Sequence, residues 1–328
     1  MKKKRIIRNT VVFCVIFILV LVAMYGGLRI LESTVFHNIQ DAVPPSVSKT
    51  ITRNGIDYFP RQDLTVMMVL GIHKSGSAEN SEANQNNGLA DYIMLLVFDE
   101  RNENIRILNL NPDTMVQMPI LGVDGRPAGT NYGQLALSHT YGVGLEDSCE
   151  NTRKTVSDLL YGVNIDYYLS INMDALPILN DSVGGVTVTV TDDFSAIDPE
   201  ITKGEFTLHG DQAITFVRSR RDVANQMNIS RMERQQEYAE GFMNSLRAKL
   251  KDGKTFILSA FAQVHRYIVT DFSTTVISGV LDRYRDYDIV EIVSPEGEYV
   301  LGEQYYEFHL YEEALDALIL RLFYVPKN

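Results

Sequence analysis

The chain has 328 residues and carries 42 acidic against 30 basic side chains, a net charge of −12 at pH 7. This length can hold one large domain or two small ones, and a hydrophobic content of 45% is ordinary for a folded protein. The two cysteines, Cys14 and Cys149, exclude a disulfide framework and a CxxC metal site.

The first element is an uncharged apolar run of eighteen residues, Val11 to Leu28, preceded by five basic residues. That is about the minimum length for crossing a hydrocarbon core of ~30 Å. A cleaved signal peptide would need a shorter apolar region and a small-residue cleavage site, which AMYGG matches poorly. Because basic residues stay on the cytoplasmic side, we predict a cytoplasmic tail (1–9), one transmembrane helix (10–30) and an external domain.

The external part is strongly acidic. Residues 31–328 carry 24 basic and 42 acidic side chains, a net charge of −18. Such a surface repels nucleic acid, so we expect no nucleic-acid partner and argue against a regulator that contacts DNA. Residues 31–61 combine polar residues, a Pro-Pro pair and weak periodicity, which predicts an extracellular stalk.

The rest of the chain alternates strand-like and helix-like segments. Apolar runs predict strands at 64–72, 91–99, 105–111, 165–173, 184–190 and 289–294. Helical spacing predicts helices at 147–162, 174–182, 209–219, from Ser230 onward, and 309–323. This order favours an α/β fold, a three-layer α/β/α sandwich with a central, mostly buried sheet. The main domain is expected over 62–250, with 251–328 as a C-terminal extension packed on it.

Five arginines and no lysine lie between residues 217 and 236: Arg218, Arg220, Arg221, Arg231 and Arg234. Arginine presents a planar fork of donors that matches a phosphate or a carboxylate bidentately, whereas lysine is a point charge. The cluster therefore suggests an oxyanion site. The alternative is a solvated basic face paired with acidic neighbours.

The spacing of Ser230 and Glu233 is that of a capping box, which predicts that a helix begins at Ser230. Helix N-termini attract anions, so Arg231 and Arg234 in the first turn fit a bound phosphate better than they fit helix stability. Gln235 falls on the same helix face. We expect Arg218, Arg220 and Arg231 to converge on one phosphate or pyrophosphate pocket.

A pyrophosphate usually binds with a divalent cation held by carboxylates. Asp91 stands where the long polar loop 73–88 meets a predicted strand, and Asp113 follows another strand. The alternative for each aspartate is a turn cap beside a strand end.

These segments together resemble the LytR-CpsA-Psr family. LHGDQAITFVRSR…RMERQQ is similar to the family's arginine signature, and SVGGVTVTV, YGVNIDYYLSINMDA and LGI…ADYIMLLVFD…LNLNPDTMVQMP match other family blocks in the same order. The resemblance covers roughly residues 62–250, with IVTDFS and the final helix agreeing beyond.

The resemblance implies a membrane-anchored external enzyme of bacteria, mostly those with Gram-positive envelopes. Such enzymes transfer a glycopolymer, teichoic acid or capsule, from a polyprenyl-pyrophosphate carrier to peptidoglycan, with Mg²⁺. The family pattern implies pyrophosphate contacts for Arg218, Arg220, Arg231 and Gln235, and a magnesium-linked carboxylate at Asp91. It also implies that the carrier lipid lies in an apolar tunnel.

Three positions depart from the family pattern. His73 replaces the first magnesium-associated aspartate, Pro112 stands in the place of a phosphate-binding arginine, and Asn228 replaces an aspartate. His73 could ligate a metal, act as a base or be a bystander in its loop. The alternatives are thus a phosphotransferase in which Asp91, Arg218 and Arg220 are catalytic, or a non-catalytic polyprenyl-phosphate-binding or regulatory protein on the same fold.

Overall fold

The computed structural model describes residues 50–73, 87–122, 124–219, 228–251, 259, 262–271, 283–284, 287–302 and 305–327. They divide into two compact units. The sheet unit contains the described residues of 50–172, 268–271 and 283–327, and the helical unit contains those of 173–267.

The strands, in chain order, are β1 (Ile51–Arg53), β2 (Ile56–Pro60), β3 (Leu64–His73), β4 (Leu89–Asp99), β5 (Asn104–Leu110), β6 (Met115–Leu121), β7 (Pro127–Gln134), β8 (Tyr167–Asn172), β9 (Val186–Val190), β10 (Gly204–Leu208), β11 (Ile268–Thr270), β12 (Asp288–Val293), β13 (Gly297–Leu301), β14 (Tyr306–Leu310) and β15 (Tyr324–Pro326). The α-helices are α1 (Leu145–Leu159), α2 (Ala175–Ser182), α3 (Gln212–Arg218), α4 (Asn228–Lys251) and α5 (Glu312–Phe323), with 3₁₀ helices at Leu135–Thr140 and His265–Tyr267.

A mixed six-stranded sheet forms the centre of the sheet unit, in the order β11-β8-β3-β4-β5-β12. Strand β3 pairs antiparallel with β4 and parallel with β8. Strand β5 pairs antiparallel with β4 and parallel with β12, and β11 pairs antiparallel with β8. The predicted α/β class with a central sheet is confirmed. The three-layer arrangement stays a prediction.

The apolar runs of β3 and β4 are buried on both faces of this sheet. On one face, Met68 and Leu95 are opposite each other and belong to a hydrophobic cluster that includes Val156 of α1 and Ile319 of α5. On the other face, Met67, Met94 and Leu96 are also buried, and Phe98 stacks on Tyr284 with ring centroids 4.3 Å apart. Each such side chain contributes about 1.5–3 kcal/mol when fully buried. Burial on both faces explains why these strands are continuous apolar runs.

The segment predicted as the end of the stalk is folded. Strands β1 and β2 form an antiparallel hairpin, and β15 from the other end of the chain pairs with β2. The Nε of Arg53 donates to Asp316 of α5 at 2.6 Å. The predicted stalk, 31–61, is therefore too long at its carboxyl end, because short strands with mixed composition give only a weak periodic signal.

Two further hairpins of the sheet unit have no counterpart among the predicted elements. Strands β6 and β7 pair antiparallel, as do β13 and β14. A bridge between Thr114 and Phe308 places β14 beside the beginning of β6. The sequence of β7, PAGTNYGQ, has no alternating apolar residues, so periodicity could not reveal it.

In the helical unit, the hairpin of β9 and β10 lies against α4. The approach is close at Gly241, where a Cβ atom would come within 2.2 Å of the Thr187 carbonyl oxygen. Glu237, one turn earlier, accepts a hydrogen bond from the Thr189 amide at 2.7 Å. Glycine at 241 is therefore required by packing against the strand backbone, although glycine weakens a helix interior.

The predicted helix start at Ser230 is too late. Asn228 is already helical, and residues 220–227 lie outside the described part of the chain. The Ser230–Glu233 pattern matched a capping box locally, but a four-residue match is a weak guide to a helix boundary.

Among the described residues, no helix has both the length and the apolar character needed to cross a membrane. The predicted transmembrane helix, 10–30, lies outside the described residues.

Candidate functional site

His73 and Asp91, two of the predicted metal-site candidates, lie next to each other. Strand β3 ends at His73, opposite Leu89 of β4. The Nδ1 of His73 is 3.3 Å from an Oδ of Asp91, and the two side chains are 41% and 13% exposed. Pairing of the adjacent strands thus brings together residues that the polar loop separates in sequence. The pair attracts electrostatically only when His73 is protonated.

The segment before Asp91 is fixed by two buried residues that sequence reasoning missed. The Nδ2 of Asn87 donates to the Ser148 hydroxyl at 2.8 Å and to the Gly142 carbonyl at 3.2 Å. The ring Nδ1 of His139 lies 3.1 Å from the Gly88 carbonyl oxygen. Both contacts hold residues just before β4 and therefore fix the start of the strand that carries Asp91. The Asn-Gly pair at 87–88 was the available signal, because it is typical of a tight turn.

The neighbouring cysteine is not a nucleophile. Cys149 is completely buried, with its Sγ 3.6 Å from the Nε2 of His139. Burial raises the pKa of the Cys149 thiol to about 12. The thiol is therefore neutral at physiological pH, and a reactive cysteine needs the thiolate.

Asp113 is buried in a polar network of the sheet unit and is 6% exposed. Its carboxylate accepts from the Tyr299 hydroxyl at 3.3 Å and from the Gln134 amide at 3.4 Å. Its backbone amide donates to the Asn111 side chain at 3.0 Å. In the last contact, Asn111 caps the turn, whereas the Asp113 carboxylate itself bonds to residues distant in sequence. A metal role for Asp113 stays a prediction.

Pro112 precedes Asp113, and its carbonyl accepts a hydrogen bond from the Ala136 amide at 2.9 Å. It therefore anchors the start of the 3₁₀ helix that carries His139. An arginine at this position would supply a guanidinium, whereas proline supplies only this backbone acceptor.

The arginine region lies in the helical unit, where α3 ends against the beginning of α4. Arg231 and Arg234 are buried, at 3% and 4% exposure. Arg218 is the last residue of α3, and Asn228 is the first of α4. Arg220 and Arg221 lie outside the described residues, so the convergence of Arg218, Arg220 and Arg231 stays a prediction.

Arg234 and Gln235 hold the end of α3 in place. The Nε of Arg234 donates to the Phe216 carbonyl at 2.8 Å, and a terminal nitrogen donates to the Ser219 carbonyl. Gln235 donates to the Val217 carbonyl at 3.3 Å. The last carbonyls of a helix have no partner within the helix, so these side chains satisfy them. They also fix Arg218, which stands between the bonded residues.

Asp192 is a second residue that sequence reasoning missed. Its carboxylate forms an ion pair with Arg234, whose guanidinium carbon also lies 5.7 Å from the centre of the Phe194 ring. Arginine paired with a carboxylate and an aromatic face is well compensated when buried. The described contacts of Arg234 are thus those of a structural residue, and its predicted pyrophosphate contact stays a prediction.

A shallow cleft of about 520 Å³ in the helical unit is lined by Asp198, Glu200, Asp211 and His209, among others. None of the described arginines, Arg218, Arg231 and Arg234, lines it. Three carboxylates would repel a phosphate, so this cleft is not the predicted oxyanion site.

Within the described part of the chain, no group of three or more acidic, histidine or cysteine side chains is placed to hold a metal ion. Magnesium prefers oxygen ligands and usually binds one or two carboxylates together with waters and substrate phosphates. Asp91 fits a magnesium site in which the protein supplies a single carboxylate. It supplies a carboxylate, and a pyrophosphate would supply the remaining oxygens.

Comparison with known proteins supports the predicted resemblance. The model of the LytR_cpsA_psr family matches residues 39–319. The match begins within the predicted stalk and ends within α5. It therefore extends beyond the 62–250 range expected from motifs, in agreement with the folded β1–β2 hairpin.

Curated relatives include two named polyisoprenyl-teichoic acid–peptidoglycan teichoic acid transferase TagU. The Bacillus licheniformis protein is 23% identical over 243 residues, which cover 74% of this chain and 71% of the relative. The Halalkalibacterium halodurans protein is 28% identical over 180 residues, which cover 55% and 52%. The chain therefore spans between half and about seven tenths of these relatives.

Solved structures show the same fold. A Streptococcus agalactiae protein superposes with a TM-score of 0.61 at 24% identity, covering 79% of this chain and 86% of that one. Bacillus subtilis TagT superposes with a TM-score of 0.55 at 20% identity, covering 80% and 90%.

Proposed function

Because this chain belongs to the LytR_cpsA_psr family, we propose that it is a phosphotransferase of the cell envelope. It moves a glycopolymer from a polyprenyl-pyrophosphate carrier to peptidoglycan. The names of the TagU relatives describe this reaction for teichoic acid. The observation that carries the proposal is the burial of Arg231, at 3% exposure, on helix α4, within a region whose net charge is −18.

Arg231 and Arg234 have different proposed roles. Arg231, with Arg218 and Arg220, binds the pyrophosphate, because guanidinium groups match phosphate oxygens bidentately. Arg234 and Gln235 act as positioning residues, since their described hydrogen bonds go to carbonyls at the end of α3. This assignment refines the family pattern, which gives Gln235 a direct pyrophosphate contact.

In the proposed reaction, a peptidoglycan hydroxyl attacks the phosphorus that carries the glycan. A new P–O bond forms to the acceptor, the P–O bond to polyprenyl phosphate breaks, and the hydroxyl proton passes to the Asp91 carboxylate. Arginines stabilise the charge on the equatorial and leaving oxygens, and such catalysis is mainly positioning and charge neutralisation. A bound Mg²⁺ would neutralise further phosphate charge, and Asp91 is the residue that would hold it.

The test uses the full-length protein purified from membranes in detergent. Native mass spectrometry should detect bound polyprenyl phosphates, and the protein should transfer a lipid-linked glycopolymer to peptidoglycan. Arg231→Lys keeps the charge but loses the fork, so it should lower both carrier occupancy and transfer. Lys249→Arg, on the same helix, is the control and should change neither. Absence of both carrier and transfer in the wild-type protein would contradict the proposal.

One observation favours the non-catalytic alternative. Asp91 has a histidine at 3.3 Å, at the position where the family pattern has a second carboxylate. Fewer acidic ligands weaken a magnesium site. If wild type and His73→Asp both bind the carrier and neither transfers the glycopolymer, the protein is a polyprenyl-phosphate binder.

We further propose that residues 10–30 anchor the protein in the cell membrane, with residues 1–9 cytoplasmic and the remainder extracellular. The eighteen-residue apolar run and the five basic residues before it support this topology. A cysteine-accessibility assay on whole cells tests it. Residue 50 should be labelled from outside and residue 8 should not.

A further inference from the structure

The outer face of the β6–β7 hairpin is an unusual part of the surface. The strands are paired so that Gln117 lies opposite Tyr132 and Pro119 lies opposite Thr130. Alternate residues point to opposite faces of a strand. Val116 and Met118 join the hydrophobic cluster on the inner side, whereas Gln117, Thr130 and Tyr132 are exposed on the outer side.

This outer face combines an aromatic ring with uncharged hydrogen-bonding groups. Tyr132 is 56% exposed, which is high for a large aromatic side chain. The Gln117 amide donates to the Thr130 hydroxyl at 2.7 Å, so the two polar side chains are held beside the ring. None of the six outward positions 115, 117, 119, 130, 132 and 134 has a charged side chain. In so acidic a chain, this face is locally neutral.

The face continues to the buried Asp113 network. Gln134, at the end of β7, donates to the Asp113 carboxylate at 3.4 Å and to the Tyr306 carbonyl at 3.1 Å. Tyr306 begins β14 and is 48% exposed. The backbone of a second exposed tyrosine therefore lies beside the end of the hairpin, and Gln134 connects it to the Asp113 network.

We propose that this face binds the acceptor, the saccharide strand of peptidoglycan. A tyrosine ring is a rigid amphipathic surface that can stack against the C–H face of a sugar, while amide and hydroxyl groups bond to sugar hydroxyls and N-acetyl groups. The inference rests on the proposed function, which requires an acceptor.

The chemistry of the face favours the acceptor over other occupants. A teichoic acid donor carries phosphates and would need cationic side chains, which the six positions lack. A lipid chain would need an apolar surface without exposed amides. A neutral saccharide needs neither, and it fits a face that alternates an aromatic ring with uncharged polar groups.

The test uses the full-length protein in detergent and soluble, uncrosslinked peptidoglycan strands as the probe. Tyr132→Ala should weaken strand binding roughly tenfold, the size expected when an aromatic anchor is lost. Tyr132→Phe keeps the ring and should bind within about twofold of wild type. Tyr311→Ala removes a tyrosine that is equally exposed, at 47%, but precedes α5, and it should not change binding.

Kinetic and binding measurements distinguish the proposed acceptor face from the proposed transferase activity. In the transfer assay, Tyr132→Ala should raise the KM for peptidoglycan and leave kcat and the KM for the lipid-linked donor unchanged. Unchanged strand binding and an unchanged acceptor KM would overturn the acceptor face while leaving the transferase intact. A wild type that binds no strands, or a variant that loses only donor binding, would overturn it as well. Strand binding that depends on Tyr132 in a protein that transfers nothing would support the face and remove the proposed transferase function.

Discussion

The two ends of strand β4 carry aspartates with contrasting surroundings. At one end, Asp99 is completely buried and accepts hydrogen bonds from Arg61, Arg106 and Asn102. At the other end, Asp91 is 13% exposed and pairs with His73, which is itself 41% exposed. Asp99 thus stabilises the fold through partners that always carry a charge. Asp91, on the same strand, has in His73 a partner that is charged only when it is protonated.

The contrast distinguishes a carboxylate that stabilises the fold, Asp99, from the one proposed to meet the substrate, Asp91. The Asp99 carboxylate is held by two guanidinium groups that are always charged, so it has no reason to bind a proton or a metal. Burial alone would raise the pKa of Asp99, but the hydrogen bonds from Arg61, Asn102 and Arg106 outweigh it and lower that pKa. Asp91 instead pairs with a histidine and is partly exposed to solvent. A carboxylate that contacts a substrate needs such access.

The largest expected effect is at the structural end. Asp99→Asn removes the buried carboxylate between Arg61 and Arg106, which keep only Asp63 and Glu291, and losing one partner of a buried pair costs up to about 3–5 kcal/mol. The free energy of unfolding of the full-length protein in urea should fall by that amount. Transfer per folded molecule should be unchanged. If the free energy of unfolding fell by less than about 1 kcal/mol, the contacts of Asp99 with Arg61 and Arg106 would contribute no more than exposed ion pairs do.

At the chemical end, the expected effect is on turnover. Asp91→Asn should lower transfer about hundredfold, which is about 2.7 kcal/mol of transition-state stabilisation. Its unfolding free energy should change by less than about 1 kcal/mol, because the pair with His73 is partly exposed. Equal losses of stability in Asp91→Asn and Asp99→Asn would remove the distinction between the two ends.

Low pH should lower the free energy of unfolding through protonation of Asp99. Because the folded-state pKa of Asp99 is lowered, its contribution is complete above the unfolded value of about 3.9 and is lost as the pH falls below it. The wild-type unfolding free energy should therefore fall by up to about 1.4 kcal/mol per pH unit more steeply than that of Asp99→Asn. Parallel curves for the two proteins between about pH 4 and pH 2 would contradict this.

The smallest effect concerns the metal. His73→Asp adds a second carboxylate beside Asp91, so Mg²⁺ should bind several-fold more tightly, and more tightly still with inorganic pyrophosphate, which supplies further oxygens. Isothermal titration calorimetry measures both affinities without requiring turnover. Asp57→Asn, which changes an exposed carboxylate of β2, is the control. Magnesium binding that is the same in His73→Asp, Asp91→Ala and wild type would place the metal elsewhere.

Much of the fold could be predicted because its central strands are apolar throughout. The predicted strand 64–72 ends one residue before β3 ends, and the predicted strand 91–99 starts two residues after β4 begins; their other ends coincide. Hairpin β6–β7 could not be predicted, since the outer residues of β7 are polar or aromatic and its inner positions include a glycine. An alternating pattern reveals a strand only when its two faces differ in polarity. Strand β7 lacks that difference and is held in place by its pairing with β6.

The site was partly predictable for a similar reason. Asp91 could be identified because it stands at the edge of an apolar run, beside the polar loop, and His73 because it departs from the family pattern. Asn87, His139 and Asp192 act through contacts with residues distant in sequence, such as Asn87 with Ser148, 61 positions away. Apart from the Asn-Gly pair at 87–88, no local pattern marks these residues. The roles of Arg234 and Gln235 at the end of α3 likewise depend on contacts over 18 positions.

Pairing of β15 with β2 has a consequence for how the protein reaches its folded state. Arg53 and Asp316 are 263 residues apart, and the β2 edge is covered only when residues 324–326 arrive. During synthesis, the first hairpin therefore keeps an open edge, which can pair wrongly, until residues 324–326 are available. Contacts between residues so far apart in sequence also form slowly. A mutation that weakens β15 should thus lower the yield of folded protein and leave turnover normal in the molecules that fold.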